Sequence, residues 1–129
     1  MSQENVEIVR AALDAYNRGD FEGLSRFAGP DFTFDWSRSI GPQRGVYGID
    51  ELSKLNIAEQ FETARTEPEE FIEVGDQVIT PLVGHFRGRD GIEVTARFTY
   101  LWSVRDGAVA RVTLYQEREE ALEAAGLRE

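Results

Sequence analysis

The segment from Ile92 to Val104 alternates between apolar and polar side chains, and this pattern constrains the fold more than any other feature of the chain. The even-numbered positions are apolar or aromatic and most odd-numbered positions are polar: Ile92, Val94, Ala96, Phe98, Tyr100, Trp102 and Val104 against Glu93, Thr95, Arg97, Thr99, Leu101 and Ser103. Successive side chains of a strand point to opposite faces, so the pattern predicts a long strand with one face in a core. Arg105-Asp106-Gly107 then reads as a hairpin turn, and Ala108 to Glu117 as the returning strand.

Helical patterns come before these strands. Apolar spacing predicts a first helix over 3–18, a second from Phe21 that ends before Pro30, and a third from Asp50 to about Thr63. Further strands are predicted, and a short terminal helix closes the chain: Asp31 to Trp36, Phe71 to Val74 and Gln77 to Arg87, then Glu119 to Ala125. Helices and strands are thus segregated along the chain, which predicts one α+β domain.

The charge and composition exclude several classes of function. The chain of 129 residues has a formal net charge of −10, which repels nucleic acid and anionic membrane surfaces. It has no cysteine and a single histidine, so neither a structural zinc site nor an iron–sulfur cluster is expected. Phosphate-binding glycine loops and metal motifs are missing, so we expect no cofactor. The polar start and the lack of a long apolar stretch predict a cytoplasmic location.

Three stretches of sequence carry a family resemblance. They are VRAALDAYNRGDFEGLSRF from Val9, FTFDWSRSIGPQRGVYGIDEL from Phe32, and LWSVRDGAVARVTLYQEREEALEAAGL from Leu101. Together they resemble the SnoaL-like and ketosteroid isomerase-like branch of the nuclear transport factor 2-like superfamily, over nearly the whole chain. The resemblance implies a cone-shaped, curved antiparallel or mixed sheet of about four to six strands, with three N-terminal helices closing a pocket. Members of the superfamily include enzymes and plain binding domains, so the fold does not assign a reaction.

The resemblance also implies a homodimer that pairs through the convex face of the sheet. Residues expected near that contact are Arg97, Thr99, Leu101, Arg111, Thr113 and Tyr115. Apolar side chains on this otherwise polar face favour the same prediction.

The catalytic positions of ketosteroid isomerase fall on residues that cannot repeat its chemistry. By the resemblance, its oxyanion-hole tyrosine corresponds to Ala12, its general base to Trp36, and its second acid to Tyr100. Asp35 is one position away from the base, and neighbouring strand residues face opposite sides of a sheet. Steroid isomerisation by that mechanism is therefore disfavoured.

Large amphipathic side chains are predicted to line the pocket instead: Tyr16, Trp36, Tyr100 and Trp102, together with Gln116. Such a lining suits a flat apolar ligand whose orientation is fixed by phenol and amide groups. The alternative is that the aromatic residues only fill the core.

Two residues are candidates for proton transfer. Asp35 lies between Phe34 and Trp36, where an apolar setting would raise its pKa. The alternative is a surface or loop-capping aspartate. His85 is the only imidazole, but its strand parity places it opposite the apolar face. The alternative is a bulge at Pro81 or Gly84 that reverses this parity.

Arg38 and Arg44 border the glycine-rich loop between Ser37 and Gly48. Either guanidinium could receive a carboxylate or enolate of a ligand, and the alternative is an arginine that is solvated or paired with one of the many acids.

Two hypotheses follow. The first is a SnoaL-like domain that holds a hydrophobic small molecule in the cone without a recognisable catalytic set. The second is a cofactor-independent acid–base enzyme of isomerase, cyclase or hydrolase type that acts on a small hydrophobic carbonyl compound. In the enzyme, Asp35 or His85 would move the proton and Tyr16 or Tyr100 would polarise the oxygen.

Overall fold

The computed structural model describes residues 2–39, 44–55 and 61–126. One mixed sheet of seven strands is packed against helices. In chain order the elements are α1 (Ser2–Asn17), α2 (Phe21–Ser25), β1 (Ala28–Asp35), β2 (Val46–Tyr47), α3 (Ile49–Leu55), β3 (Thr63–Pro68), β4 (Ile72–Val74), β5 (Gln77–Arg87), β6 (Glu93–Arg105), β7 (Ala108–Tyr115) and α4 (Arg118–Ala124). The predicted α+β class is confirmed.

The long strands form an antiparallel meander at the centre of the sheet. The strand order is β2-β1-β7-β6-β5-β3, with β4 paired to β5. β1 joins β7 in parallel, and the other strand pairs are antiparallel. The hairpin predicted at Asp106-Gly107 is confirmed, and both residues have positive φ, at 52° and 77°. That is the backbone that a two-residue hairpin turn requires, and glycine adopts it without steric cost.

The sheet has an inner face, on which α1, α2 and α3 lie, and an outer face. The inner core contains the even-numbered residues Tyr100 and Trp102 of β6, which pack with Val9 and Leu13 of α1 and Leu24 of α2. The even face of β6 is buried only in its second half. Ile92 just before the strand is 62% exposed and Val94 is 52% exposed.

The outer face has its own small core beneath α4. Leu101 and Ile79 pack there with Ala121 and Leu122 of the helix, and all four residues are buried. The apolar Leu101 on the otherwise polar face of β6 is therefore covered by α4 of the same chain. Thr99 and Thr113, also expected at a dimer contact, are 2% and 5% exposed. The homodimer stays a prediction, and the exposed parts of this face that remain for it include Arg97 and Arg111.

Two strands were not predicted from the sequence. The helix expected to reach Thr63 is described to Leu55, residues 56–60 lie outside the described part, and Thr63 begins strand β3. β3 is polar because it forms an edge of the sheet, so only Thr66 among its residues is buried. The two-residue β2 lies within the expected glycine-rich loop. These two strands bring the sheet to seven, against the four to six expected.

None of the described helices combines the length and the hydropathy needed to span a bilayer. The cytoplasmic location stays a prediction.

Candidate functional site

Aromatic side chains form one connected cluster on the inner face. Phe34 is at its centre, with ring-centroid distances of 5.1 Å to Tyr100, 5.2 Å to Trp36 and 5.9 Å to Tyr16. Trp102 extends the cluster from Tyr100 at 6.0 Å. The pairs are tilted or edge-to-face, the arrangements that aromatic quadrupoles favour. The structure therefore brings together four of the five predicted pocket residues, Tyr16, Trp36, Tyr100 and Trp102.

The sheet register explains how these rings meet. Phe34 of β1 is paired with Val112 of β7, which in turn is paired with Trp102 of β6. Tyr100, two residues before Trp102, points to the same face. Trp36 follows the end of β1 and keeps the inward orientation of Phe34, so that it contacts both Phe34 and Tyr47.

The two tryptophans of the cluster differ in the hydrogen bonding of their indole nitrogens. Trp102 Nε1 donates to Thr80 Oγ1 at 2.9 Å, in a pair that is fully buried. Trp36 is only 6% exposed, and its buried Nε1 has no acceptor among the residues that the structure describes. A buried N–H without a partner costs free energy comparable to a lost hydrogen bond, on the order of 1–3 kcal/mol. Trp36 thus presents an unused donor inside an apolar cluster.

The tyrosines of the cluster remain protonated near neutral pH. Burial raises the pKa of Tyr16 far above its ordinary value. Burial and the neighbouring Tyr16 also raise the pKa of Tyr100. Removing a phenol from water disfavours the phenolate, so both hydroxyls keep the proton that they can donate.

Asp35 lies on the outer face, in an ion-pair network that the sequence did not predict. Its Oδ2 accepts from Arg111 Nη2 at 2.6 Å and lies 3.9 Å from Arg38 Nη1, while its Oδ1 accepts from the Ser37 backbone N–H at 2.9 Å. Burial alone would raise the pKa of Asp35, but hydrogen bonding to Ser37 and the charges of Arg111 and Arg38 bring the pKa below its ordinary value. The expectation of a raised pKa was therefore wrong, because the side chain faces arginines rather than the apolar core.

Arg38 and Gln116 lie together at the rim of this network. The Arg38 guanidinium carbon is 4.8 Å from the centre of the Tyr115 ring, and Gln116 Nε2 donates to the Arg38 carbonyl oxygen at 2.8 Å. Gln116, the fifth predicted pocket residue, is not part of the inner core cluster. It joins the end of β7 to the segment after Trp36. Arg44, the other arginine singled out in this loop, is exposed.

His85 is on the outer face of β5, as its parity predicted. Its Nε2 lies 3.0 Å from Glu67 Oε1, which also accepts from Arg65, and nearly half of the histidine side chain is exposed. The structure thus places both proton-transfer candidates, His85 and Asp35, on the face opposite the aromatic cluster.

The positions matched to the ketosteroid isomerase site all fall in the inner core. Ala12, Trp36 and Tyr100 are 0%, 6% and 2% exposed. None carries a carboxylate, so the inner face lacks a counterpart of that enzyme's acid–base pair at these positions.

A separate groove of about 270 Å³ opens between the start of β1 and the start of α3. Its lining is Gly29, Pro30, Phe32, Gly48, Ile49, Asp50 and Glu51. It shares no residue with the aromatic cluster, and nothing in the sequence predicted it, because it depends on how the β1 and α3 segments are placed in space.

Residues 9–112 match the family described as the SnoaL-like domain. Among curated proteins, none matches the chain significantly.

Solved structures share the fold at low sequence identity. TerC, co-crystallised with polyporic acid, is 23% identical, with a TM-score of 0.78 over 95% of this chain and 98% of TerC. A Xanthomonas campestris protein of unknown function with a cystatin-like fold is 18% identical, with a TM-score of 0.75 over 96% and 98% of the two chains. A Catenulispora acidiphila protein with a ketosteroid isomerase-like fold, in complex with trimethylamine, is 17% identical, with a TM-score of 0.73 over 95% and 94%.

These similarities confirm the cone-type fold, and the family match covers most of the chain. The chain belongs to the SnoaL-like domain family, within the nuclear transport factor 2-like superfamily.

Proposed function

We propose that this SnoaL-like domain binds a neutral, hydrophobic small molecule on the inner face of its sheet, and that Trp36 donates a hydrogen bond to an acceptor oxygen of that molecule. The observation that carries the proposal is the buried Trp36 Nε1, which has no acceptor within the described part of the chain. A ligand carbonyl or ether oxygen would satisfy this donor, and the free energy that the unpaired N–H costs in the ligand-free protein would then favour binding.

The lining supports a neutral ligand. The buried residues packed around the aromatic cluster are mainly apolar or aromatic, and the buried hydroxyl of Thr80 already accepts from Trp102. A charged ligand would lose its hydration there without an ionic partner, at a large cost in free energy. The protonated hydroxyls of Tyr16 and Tyr100 add two further groups that can donate to a neutral acceptor.

The packing of the rings supports a flat ligand that enters from the margin of the cluster. The central rings already contact one another, with Phe34 only 5.1 Å from Tyr100. A ligand must therefore displace a ring, and Tyr16 and Tyr47 are two of the partly buried aromatic residues that pack against the core. The displaced edge-to-face contacts would be replaced by contacts with the faces of an aromatic or conjugated ligand.

The similarity to TerC, which was co-crystallised with polyporic acid, supports a small-molecule ligand for this fold. Acid–base catalysis by Asp35 or His85 is not proposed, because both side chains are on the outer face, with Asp35 in an ion pair with Arg111 and His85 in contact with Glu67. The tyrosines hold their protons too firmly to act as bases near neutral pH, so their role in the proposal is hydrogen-bond donation.

The test compares two flat probes that differ in one oxygen, 9-fluorenone and the hydrocarbon fluorene. Affinity is measured by isothermal titration calorimetry on the wild type and on Trp36→Phe, which removes the N–H and keeps an aromatic ring. We expect Trp36→Phe to weaken fluorenone binding about five- to tenfold, the value of one hydrogen bond, and to leave fluorene binding nearly unchanged. Equal losses for the two probes, or no binding of either probe to the wild type, would refute the proposal.

A further inference from the structure

The outer face carries a cluster in which two arginines share one acid. Arg111 and Arg38 both lie within ion-pair distance of Asp35 Oδ2, at 2.6 Å and 3.9 Å. Among the described residues, Asp35 is the only carboxylate within 4.0 Å of either guanidinium. Two positive charges and one negative charge leave one surplus positive charge at this point of a chain whose net charge is −10.

Several other arginine ion pairs in the described part of the chain have no such surplus of positive charge, although Arg65 shares Glu67 with His85. Arg26 pairs with Glu22, Arg97 with Glu69, and Arg118 with Glu70, so each of these arginines has an acid of its own. Arg18 even faces two acids, Asp14 and Asp20. Repulsion between Arg38 and Arg111 is therefore only partly compensated, and an anion would complete the compensation.

From this geometry we propose that Arg38 and Arg111 form a binding site for an oxyanion, a carboxylate or phosphate group, on the outer face of the sheet. The guanidinium groups retain donors for it. Arg111 uses Nη2 on Asp35 and Nε on Thr113 Oγ1, the latter at 3.3 Å. Arg38 makes no hydrogen bond to Asp35, since 3.9 Å is beyond hydrogen-bond length. Both side chains are 48% exposed in the single chain, so an anion can reach the cluster when the outer face is not paired with another chain.

The cluster is held in place before any anion arrives. Arg38 is stacked on Tyr115, and its backbone carbonyl accepts from Gln116. Asp35, with a side chain only 7% exposed, is fixed by the Ser37 N–H and in turn fixes Arg111. Ordering two long side chains costs conformational entropy, which normally opposes binding. Here much of the side-chain entropy of Arg38 and Arg111 is already lost before an anion binds. Planar guanidinium groups also match the geometry of carboxylate and phosphate oxygens.

The site is independent of the proposed ligand on the inner face. Asp35 and Arg111 point away from Phe34 and Val112, their inward-facing neighbours in the paired strands β1 and β7. Failure of one proposal therefore leaves the other standing.

Titration of the wild-type protein with inorganic phosphate and with acetate tests the site. The signals to follow in NMR spectra are the Ser37 amide and the arginine Nε–H groups, with sodium chloride at matched ionic strength as the reference. We expect saturable shifts at Ser37, Arg38 and Arg111 with one or both oxyanions, and weaker, non-saturating shifts with chloride. Equal responses to chloride and to both oxyanions would show only a diffuse ion atmosphere and would overturn the proposal.

Two variants are expected to change the affinity in opposite directions. Arg38→Gln removes one positive charge while Asp35 stays paired with Arg111, and we expect oxyanion binding to weaken at least fivefold. Asp35→Asn keeps an oxygen that can accept from Ser37 but removes the competing negative charge, and we expect binding to strengthen. Arg26→Gln, the same charge change at an exposed pair, is the matched control and should leave the affinity within twofold.

The predicted changes in oxyanion affinity have opposite signs in the Arg38 and Asp35 variants. A purely structural ion pair would not produce this result. The folded state of each variant is checked first from the dispersion of its amide signals, and Arg38→Met, which also lacks the positive charge, replaces any Arg38→Gln protein that does not fold. Unchanged affinity in the Arg38 variant, or weaker binding in a folded Asp35→Asn protein, contradicts the proposal.

Discussion

The side chain of Asn17 binds the backbone of Thr66 as a neighbouring strand would. Asn17 Nδ2 donates to the Thr66 carbonyl oxygen at 2.7 Å, and Asn17 Oδ1 accepts from the Thr66 N–H at 3.1 Å and from its hydroxyl at 2.8 Å. β3 is an edge strand, and Pro68 two residues later has no N–H to offer. The last residue of α1 thus occupies an edge that would otherwise be open to pairing with another chain.

Loss of this contact should destabilise the protein. Asn17→Ala leaves the backbone N–H and carbonyl of Thr66, a residue only 7% exposed, without partners. We expect the free energy of unfolding to fall by about 1–3 kcal/mol in urea titrations. Asp14→Ala, at an exposed position on the same helix, should change it by less than about 0.5 kcal/mol. Equal effects of the two substitutions would contradict this role of Asn17.

The ion pairs of Asp35 should make stability depend on pH in a defined window. Its pKa is lower in the folded state than in an unfolded chain, so its contribution is fully present above the unfolded value of about 3.9 and is lost as the pH falls through the folded value. Asp35→Asn should therefore cost about 1–3 kcal/mol at pH 7, and this difference from the wild type should shrink below about pH 4. Urea unfolding between pH 3 and pH 7 measures it. A difference that grows as the pH falls would have the wrong sign.

The two buried tryptophans should respond differently to the same substitution. Trp102→Phe breaks the hydrogen bond to Thr80, whereas Trp36→Phe removes an N–H that has no acceptor. We expect Trp102→Phe to lower the free energy of unfolding by about 1 kcal/mol more than Trp36→Phe does. Chemical unfolding of the two variants, without ligand, makes the comparison. An equal or larger cost for Trp36→Phe would indicate that its N–H is already paired.

The predicted homodimer has a direct test in sedimentation equilibrium. If the outer faces of two chains pair, the apparent mass should approach twice that of the chain as concentration rises. Arg97→Glu, which places a negative charge beside Glu69 on that face, should then shift the equilibrium toward the monomer through like-charge repulsion. A monomer at every concentration would remove the prediction.

Periodicity was sufficient to predict the elements that have one clearly buried face. The alternation before Val104 predicted β6, and β5 was predicted from Gln77 to Arg87, the bounds that the structure gives. β3 was missed because the letters TARTEP carry neither an apolar face nor a turn signal. Its place is decided by pairing with β5 and by Asn17, and neither contact can be read from the local sequence.

The residue types of the candidate site and their strand parity could be predicted from the sequence. Their hydrogen-bond and ion-pair partners could not. Parity indicated that His85 would face away from the apolar side and that Asp35 would point away from the matched base position. Both lie on the outer face, and the apolar setting expected for Asp35 was wrong. The bond between Asp35 and Arg111 joins residues 76 positions apart, and the register of β1 on β7 that brings them together is not encoded in any local pattern. Whether a buried indole has an acceptor likewise depends on the packed core.

The most direct test of the proposed function is the indole N–H region of a ¹H–¹⁵N correlation spectrum during titration with 9-fluorenone. The two tryptophans give two signals, assigned with Trp36→Phe. Hydrogen bonding of the ligand oxygen to Trp36 predicts a saturable downfield shift of the Trp36 signal, with a much smaller shift for Trp102, whose N–H stays on Thr80. A Trp36 signal that does not move with fluorenone, or that moves equally with fluorene, would contradict the account.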